Sequence, residues 1–395
     1  MTEKFFRESF LALSVTVIGG LLTGIIWSSL YDSFLLLAGV IALIPVISQM
    51  RGNISGIFTS RLGTGLHLGY ISPSFTKRSN ELNNSILMNV ILSFLIPIWV
   101  AFVVYLFNFI GNGQTPFFRF LIIGFLGSIF AGSVQIIITL FIAFKVYKKG
   151  MDPDVVVYPI LSLTADIITV LVIFVAFNIE NFLYIHVNFF FQILLEMIFI
   201  FIFILFLIII FSRPIRSKID FELVNLLAES VPVVLITVII GGIVGIILND
   251  SIPYQGIILI LPVFMAFTGS MSSIVGSTLT TAYHLGSPMK QFYINIPLVL
   301  ILVGSILSIL LGIIGYSISI LLGFSLPNES LIFYLAISFF TGLFTTIFSI
   351  IISLILGNIT FKKGIDADNV IVPITSTIGD LVAILSMVLL LFILV

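Results

Sequence analysis

Residues 45–69, PVISQMRGNISGIFTSRLGTGLHLG, recur without a gap at 262–286 as PVFMAFTGSMSSIVGSTLTTAYHLG, with 11 identities in 25. A second pair, KKGMDPDVVVYPILSLTADIITVL at 148–171 and KKGIDADNVIVPITSTIGDLVAIL at 362–385, shares 11 residues in 24. An apolar bias alone would match Ile with Val, but it would not keep Gly, Pro, Ser, His and Asp in register. The chain is therefore read as an internal duplication, in which each copy carries both segments in the same order.

Around these segments the chain is apolar almost everywhere: 60% of its 395 residues are hydrophobic and 8% are charged. A soluble fold of that composition could not cover its surface with polar groups, so the solvent for most of the protein is lipid. No basic run is long enough to grip nucleic acid. With no cysteine there is no thiolate metal site, disulfide or thiol redox chemistry. An intramembrane enzyme is disfavoured by the lack of an HExxH motif and of a recognisable Ser/His pair at one depth. Lys4 and Arg7 precede an apolar segment without a small-residue cleavage site, which reads as a retained first span. No stretch has the composition of a soluble domain, so a regulatory domain is expected only on a separate protein.

A hydrocarbon core of roughly 30 Å takes about 20 helical residues. Candidate spans lie near 9–30, 34–66, 84–108, 117–144, 155–178, 187–212, 230–248, 255–283, 291–322, 330–358 and 370–395. With the N-terminus inside, the inner loops collect 13 of the 16 Lys and Arg residues, while the outer loops around Asp32, Gly111, Glu180, Asp250 and Glu329 have almost none. The expected fold is an all-α polytopic membrane protein of about 11 transmembrane helices in the cell membrane. Two five-helix repeats, 1–180 and 229–395, are joined by a connecting transmembrane helix and cytosolic linker over 181–228. Five spans are an odd number, and the connecting span makes the repeats parallel. That arrangement gives a pseudo-twofold axis along the membrane normal, with the N-terminus inside and the C-terminus outside.

Asp166 lies twelve residues, roughly 18 Å of helix, beyond Asp154, and Asp380 stands in the same relation to Asp368. Both carboxylates are thereby expected near mid-membrane, where an ionisable group costs several kcal/mol unless it meets water, an ion or a partner. If the axis runs between them, the pair balances one divalent cation. Pro159, Ser162, Asp166 and Thr169 share one helical face, as do Pro373, Ser376, Thr377 and Asp380. Each proline also frees a backbone carbonyl one turn earlier.

The other repeated segment carries a stripe of its own: Gln49, Asn53, Gly56, Ser60, Gly63 and His67, matched by Ala266, Ser270, Ser273, Ser277, Thr280 and His284. Small and hydroxylated residues on one face suit a wet path, and equally suit close helix packing. Asp152, Asp154, Asp366 and Asp368 are placed at the inner mouth, as an acidic vestibule or as helix caps. Magnesium prefers octahedral oxygen and dehydrates reluctantly, so a site of few carboxylates with hydroxyls and carbonyls suits it; soft metals do not fit.

At these motifs the chain resembles the MgtE family of magnesium channels and, in its doubled form, solute-carrier family 41. The resemblance rests on Gly52-Asn53 with Ser60-Arg61-Leu62 and Thr64, on Asp152-Pro153 through Pro159 to Asp166, and on Asp368-Asn369-Val370, Pro373 and Gly379-Asp380-Leu381. It implies that Asp166 and Asp380 bind the transported Mg2+ and that Asn53 and its neighbours line the path; with the helical stripes, the candidate lining residues are Asn53, Gly52, Ser60, Ser270, Gly269, Ser277, Ser162, Ser376, Thr377, Pro159 and Pro373. It also implies that Asp152 and Asp366 sit at the cytosolic mouth, and that the fused halves form one pseudo-dimeric pore in a monomer. No organic cofactor is implied; the expected partners are a divalent cation and membrane lipid. The family's cytosolic regulatory domains are not recognised, Ser270 stands in place of Asn, and Thr278 in place of Arg. Arg51, aligned with Thr268, is expected to pair with an acid, Glu196 or Asp166, rather than face a cation path. Sodium- or proton-coupled exchange of divalent cations, and a proton-coupled carrier of an organic solute, stand as alternatives.

Overall fold

A computed structural model describes residues 2–34, 40–76, 79–111, 113–186, 221–251, 255–285, 294–324, 330–365 and 367–394, with single positions at 194, 197 and 201. The connecting span expected at 187–212 lies outside these residues, apart from the single positions. Ten helices are described: α1 (Thr2–Phe34), α2 (Val40–His67), α3 (Asn80–Ile110), α4 (Phe117–Lys148), α5 (Pro153–His186), α6 (Phe221–Ser251), α7 (Gln255–Leu285), α8 (Ile296–Leu321), α9 (Leu331–Lys363) and α10 (Ala367–Leu394). Among the described residues nine helices are long and apolar enough to cross a bilayer, so the chain is a multi-pass all-α membrane protein. The helix outside that set is α2, which carries Gln49, Arg51, Asn53 and Arg61. Pro45 and Pro262 lie inside α2 and α7, and both helices run on through them.

The repeated KKG ends a helix in each half. Lys148 and Lys362–Lys363 place positive charge at the helix C-terminus, where the dipole favours it. Gly150 and Gly364 then take left-handed φ values of 70° and 66°. Paired backbone bonds close both ends: Gly150 to Tyr147 and Met151 to Val146 in one, Gly364 to Phe361 and Ile365 to Thr360 in the other. Side chains with a Cβ would be strained at these glycines, which accounts for the motif's repetition.

Packing exchanges the two halves. Helix α1 lies against α7 and α6 against α2, while α5 lies against α7 and α10 against α2. The reciprocity reaches single residues. Gly20 of α1 meets the backbone of Val263, and Gly241 of α6 meets the backbone of Val46, the residue aligned with Val263. With that pairing in hand a third repeated segment becomes visible: residues 16–26 and 237–247 share 7 of 11 positions, and Glu8-Ser9 aligns with Glu229-Ser230.

The most enclosed helices are α2 and α7; from Gly256 to Ala282 every residue but Met265 is buried. Large apolar side chains stand outward on α3, α4, α8 and α9, including Phe102, Phe130, Ile137, Leu298, Phe344 and Ile351, the face such a bundle offers to lipid. At one end of the bundle Lys4 donates to the Gly150 carbonyl and His67 meets Asp152. This brings the start of α1, the end of α2 and the α4–α5 turn together. Near the opposite ends of α4 and α5, Arg119 and Glu180 form a buried bidentate pair at 2.6 and 2.7 Å.

Candidate ion site

Helices α2, α5, α7 and α10 border a cavity of about 40 Å³, reached also by Gln135 of α4. Asp166 from α5 and Asp380 from α10 both line it. The duplicated helices therefore bring to one place the two carboxylates that the sequence puts at equivalent positions. Amides and hydroxyls complete the polar wall: Gln49, Asn53, Ser48, Ser55, Ser376 and Tyr158. Leu161, Ala165, Met265 and Ala266 supply its apolar part, and Gly52 and Gly269 let the backbone come close. A side chain at Gly269 would crowd the Tyr158 hydroxyl.

The two carboxylates are held differently. Asp380, 5% exposed, accepts from the Thr268 hydroxyl at 2.6 Å through Oδ1 and from the Gln49 amide at 2.7 Å through Oδ2. Asp166 is partly exposed and makes no hydrogen bond among the described residues. Asn53 joins the halves: its Nδ2 donates to Thr377 at 3.0 Å and its Oδ1 accepts from Ser376 at 2.8 Å. Three buried polar atoms on lining residues, Gln49 Oε1, Gln135 Nε2 and Ser55 Oγ, have no hydrogen-bond partner among the described residues. Buried polar groups without a partner are costly and call for water or a ligand.

The remaining sequence-derived positions separate. Ser270 is fully buried, paired with Thr16 and with the Ala266 carbonyl, and Thr16 also reaches the Pro159 carbonyl at 3.3 Å. Ser277 donates to the Ser273 carbonyl of its own helix, and Ser60 is 1% exposed; neither borders this cavity. The Pro373 carbonyl accepts from Ser376 at 3.2 Å. Asp152 lies 3.1 Å from His67 Nε2. Asp366, and the side chains of Ser162, Asp154 and Asp368, lie outside the described residues. Among the described residues no three His, Cys, Asp or Glu side chains come together. An ion in this cavity would thus take its remaining ligands from amides, hydroxyls and water.

Arg51 overturns one of its two expected pairings, that with Asp166. It is fully buried, but its guanidinium donates to Ser93 at 2.7 Å and Gln135 at 2.9 Å rather than to Asp166. Glu196, the other expected partner, lies outside the described residues. The fork geometry of a guanidinium suits two neutral oxygens on adjacent helices, and Gly132 leaves the space it occupies. Arg51 is not among the residues lining the cavity. Tyr158 and Gln135 were not singled out from sequence. The visible signals were a tyrosine directly before the repeated proline and a lone amide inside an apolar span.

Residues 44–176 and 261–390, about two thirds of the chain, match the profile of MgtE, described as a divalent cation transporter. Each matched segment contains one of the two aspartates. No curated protein matches the chain at a significant level. Among solved structures, a MATE protein crystallised in complex with MaD3S is similar at 11% identity and a TM-score of 0.40, over 100% of this chain and 95% of that one. A MOP superfamily transporter from Pyrococcus furiosus is similar at 12% identity and a TM-score of 0.31, again over 100% and 95%. The eukaryotic MATE transporter AtDTX14 is similar at 12% identity and a TM-score of 0.29, over 99% and 94%. Likeness at this level carries no argument about function.

Proposed function

Because the chain belongs to the MgtE family of divalent cation transporters, we propose that it moves Mg2+ across the cell membrane, holding the ion between Asp166 and Asp380. The observation that carries this reading is a single cavity bordered by one carboxylate from each matched segment. Two carboxylates balance one divalent charge, and neutral oxygens nearby can bind the waters that magnesium keeps. The cavity volume of about 40 Å³ is close to the roughly 30 Å³ that one water takes in the liquid. That supports a small, partly hydrated ion over an organic solute. Gly52, Gly269, Asn53 and Ser376 line the site in this reading. Asp152, with Asp154, Asp366 and Asp368, raises the cation concentration at the inner mouth.

The test is Mg2+ uptake into proteoliposomes, with rescue of magnesium-dependent growth as the cellular counterpart. Asp166→Asn and Asp380→Asn keep the shape and remove the charge. Each is expected to reduce uptake by about tenfold or more, the consequence of losing on the order of 1.4 kcal/mol of ion stabilisation. Unchanged uptake in the double variant rejects the site.

A further inference from the structure

The two carboxylates of the cavity occupy equivalent positions in the duplication but meet unequal neighbours. Thr268 and Gln49 each give a hydrogen bond to a different oxygen of Asp380, the Thr268 hydroxyl sharing its proton with the Met265 carbonyl at 2.8 Å. Their counterparts do nothing of the kind for Asp166. Thr268 aligns with Arg51, which turns to Ser93 and Gln135, and Gln49 aligns with Ala266, which has no donor. The asymmetry is therefore written into the sequence of the two copies. It leaves Asp380 held at both oxygens and Asp166 without a hydrogen bond among the described residues.

Resting on the reading that the ion sits between Asp166 and Asp380, we propose that Gln49 and Thr268 set the ion selectivity of this site by holding Asp380 as a water-mediated rather than a direct ligand. A hydrogen bond on each oxygen takes one of its two lone pairs, which leaves the carboxylate less free to grip a metal through both oxygens at once. It can still accept from the waters of a hydrated ion through its remaining lone pairs. Magnesium, which gives up water reluctantly, loses little by that arrangement. Calcium accepts six to eight oxygens in flexible geometry and gains from direct carboxylate contact, so the clamp costs calcium more. Gln49 and Thr268 are thus positioning residues acting through Asp380, and Asp166 supplies the directly available carboxylate.

The experiment measures Mg2+ and Ca2+ uptake, each alone and in competition, in proteoliposomes of the full chain. Gln49→Leu and Thr268→Val remove the donors with little change of volume, and Thr268→Ser restores a hydroxyl. Each removal is expected to shift the Mg2+-over-Ca2+ preference toward Ca2+ by about tenfold, the effect of one hydrogen bond to a charged group, while Thr268→Ser retains the wild-type ratio. Because the two removals are on different helices, a folding failure of one leaves the other to decide. An unchanged ratio in a folded variant, with Asp166→Asn and Asp380→Asn still abolishing uptake, overturns the clamp alone. Uptake that survives both aspartate substitutions overturns the underlying site as well.

Discussion

Gly20 of α1 packs directly against the Val263 backbone of α7, so close that a Cβ on the glycine would overlap Val263 Cα. Four residues on, Gly24 stands in the same relation to the Leu259 carbonyl. These contacts tie the first helix of one half to the innermost helix of the other. Gly20→Ala and Gly24→Ala should each lower stability by about 1–3 kcal/mol through overpacking, read as a reduced unfolding temperature in detergent. Gly241→Ala should be milder, because its nearest neighbour is the Gln49 side-chain oxygen at 3.0 Å from the new Cβ, and the nearest backbone atom, Val46 Cα, lies at 3.5 Å. Equal effects at all three positions would contradict the close α1–α7 contact.

Gly132 makes room for the Arg51 guanidinium, since a Cβ there would lie 2.7 Å from Nη1. Gly132→Ala is expected to destabilise by about 1–3 kcal/mol. Arg51→Met removes the crowded group at the cost of leaving Ser93 and Gln135 without their donor. In the double variant the alanine penalty should largely vanish, a coupling visible in a double-mutant cycle of thermal stability. Strict additivity would mean that Arg51 does not occupy the space the glycine leaves.

Orientation follows from the basic loops and can be read chemically because the chain has no cysteine. Thr76, exposed between α2 and α3, and Gln114, exposed between α3 and α4, lie at successive turns. Thr76→Cys should react with a membrane-impermeant maleimide only from the cytosolic side, and Gln114→Cys only from outside. The opposite pattern would invert the assigned topology.

Much of the fold was legible because lipid imposes simple demands, long apolar helices above all, and because a duplication keeps Gly, Pro and Asp in register. The glycines of α1 and α6 were less legible, since their repeat shows only once the helices they pack against are known. For the site, the spacing of Asp154 from Asp166 and of Asp368 from Asp380 was enough to put two acids in equivalent places. What surrounds them was not readable. Gln49 reaches Asp380 across 331 residues of chain, and a neutral amide leaves no charge pattern to follow. The same holds for Arg51, whose partners among the described residues are a serine and a glutamine. Hydroxyl stripes are ambiguous in principle: Ser277 and Thr280 donate to carbonyls one turn back in their own helix, a bond that sequence cannot distinguish from a contact with water.

The position of the ion is the most direct measure of the account. Mn2+ shares magnesium's preference for octahedral oxygen and can be located by its anomalous scattering in crystals of the full chain. A peak in the cavity between Asp166 and Asp380, absent in Asp166→Asn/Asp380→Asn, is the predicted result. A cavity that stays empty at saturating Mn2+, with the ion bound elsewhere in the transmembrane bundle, would contradict it.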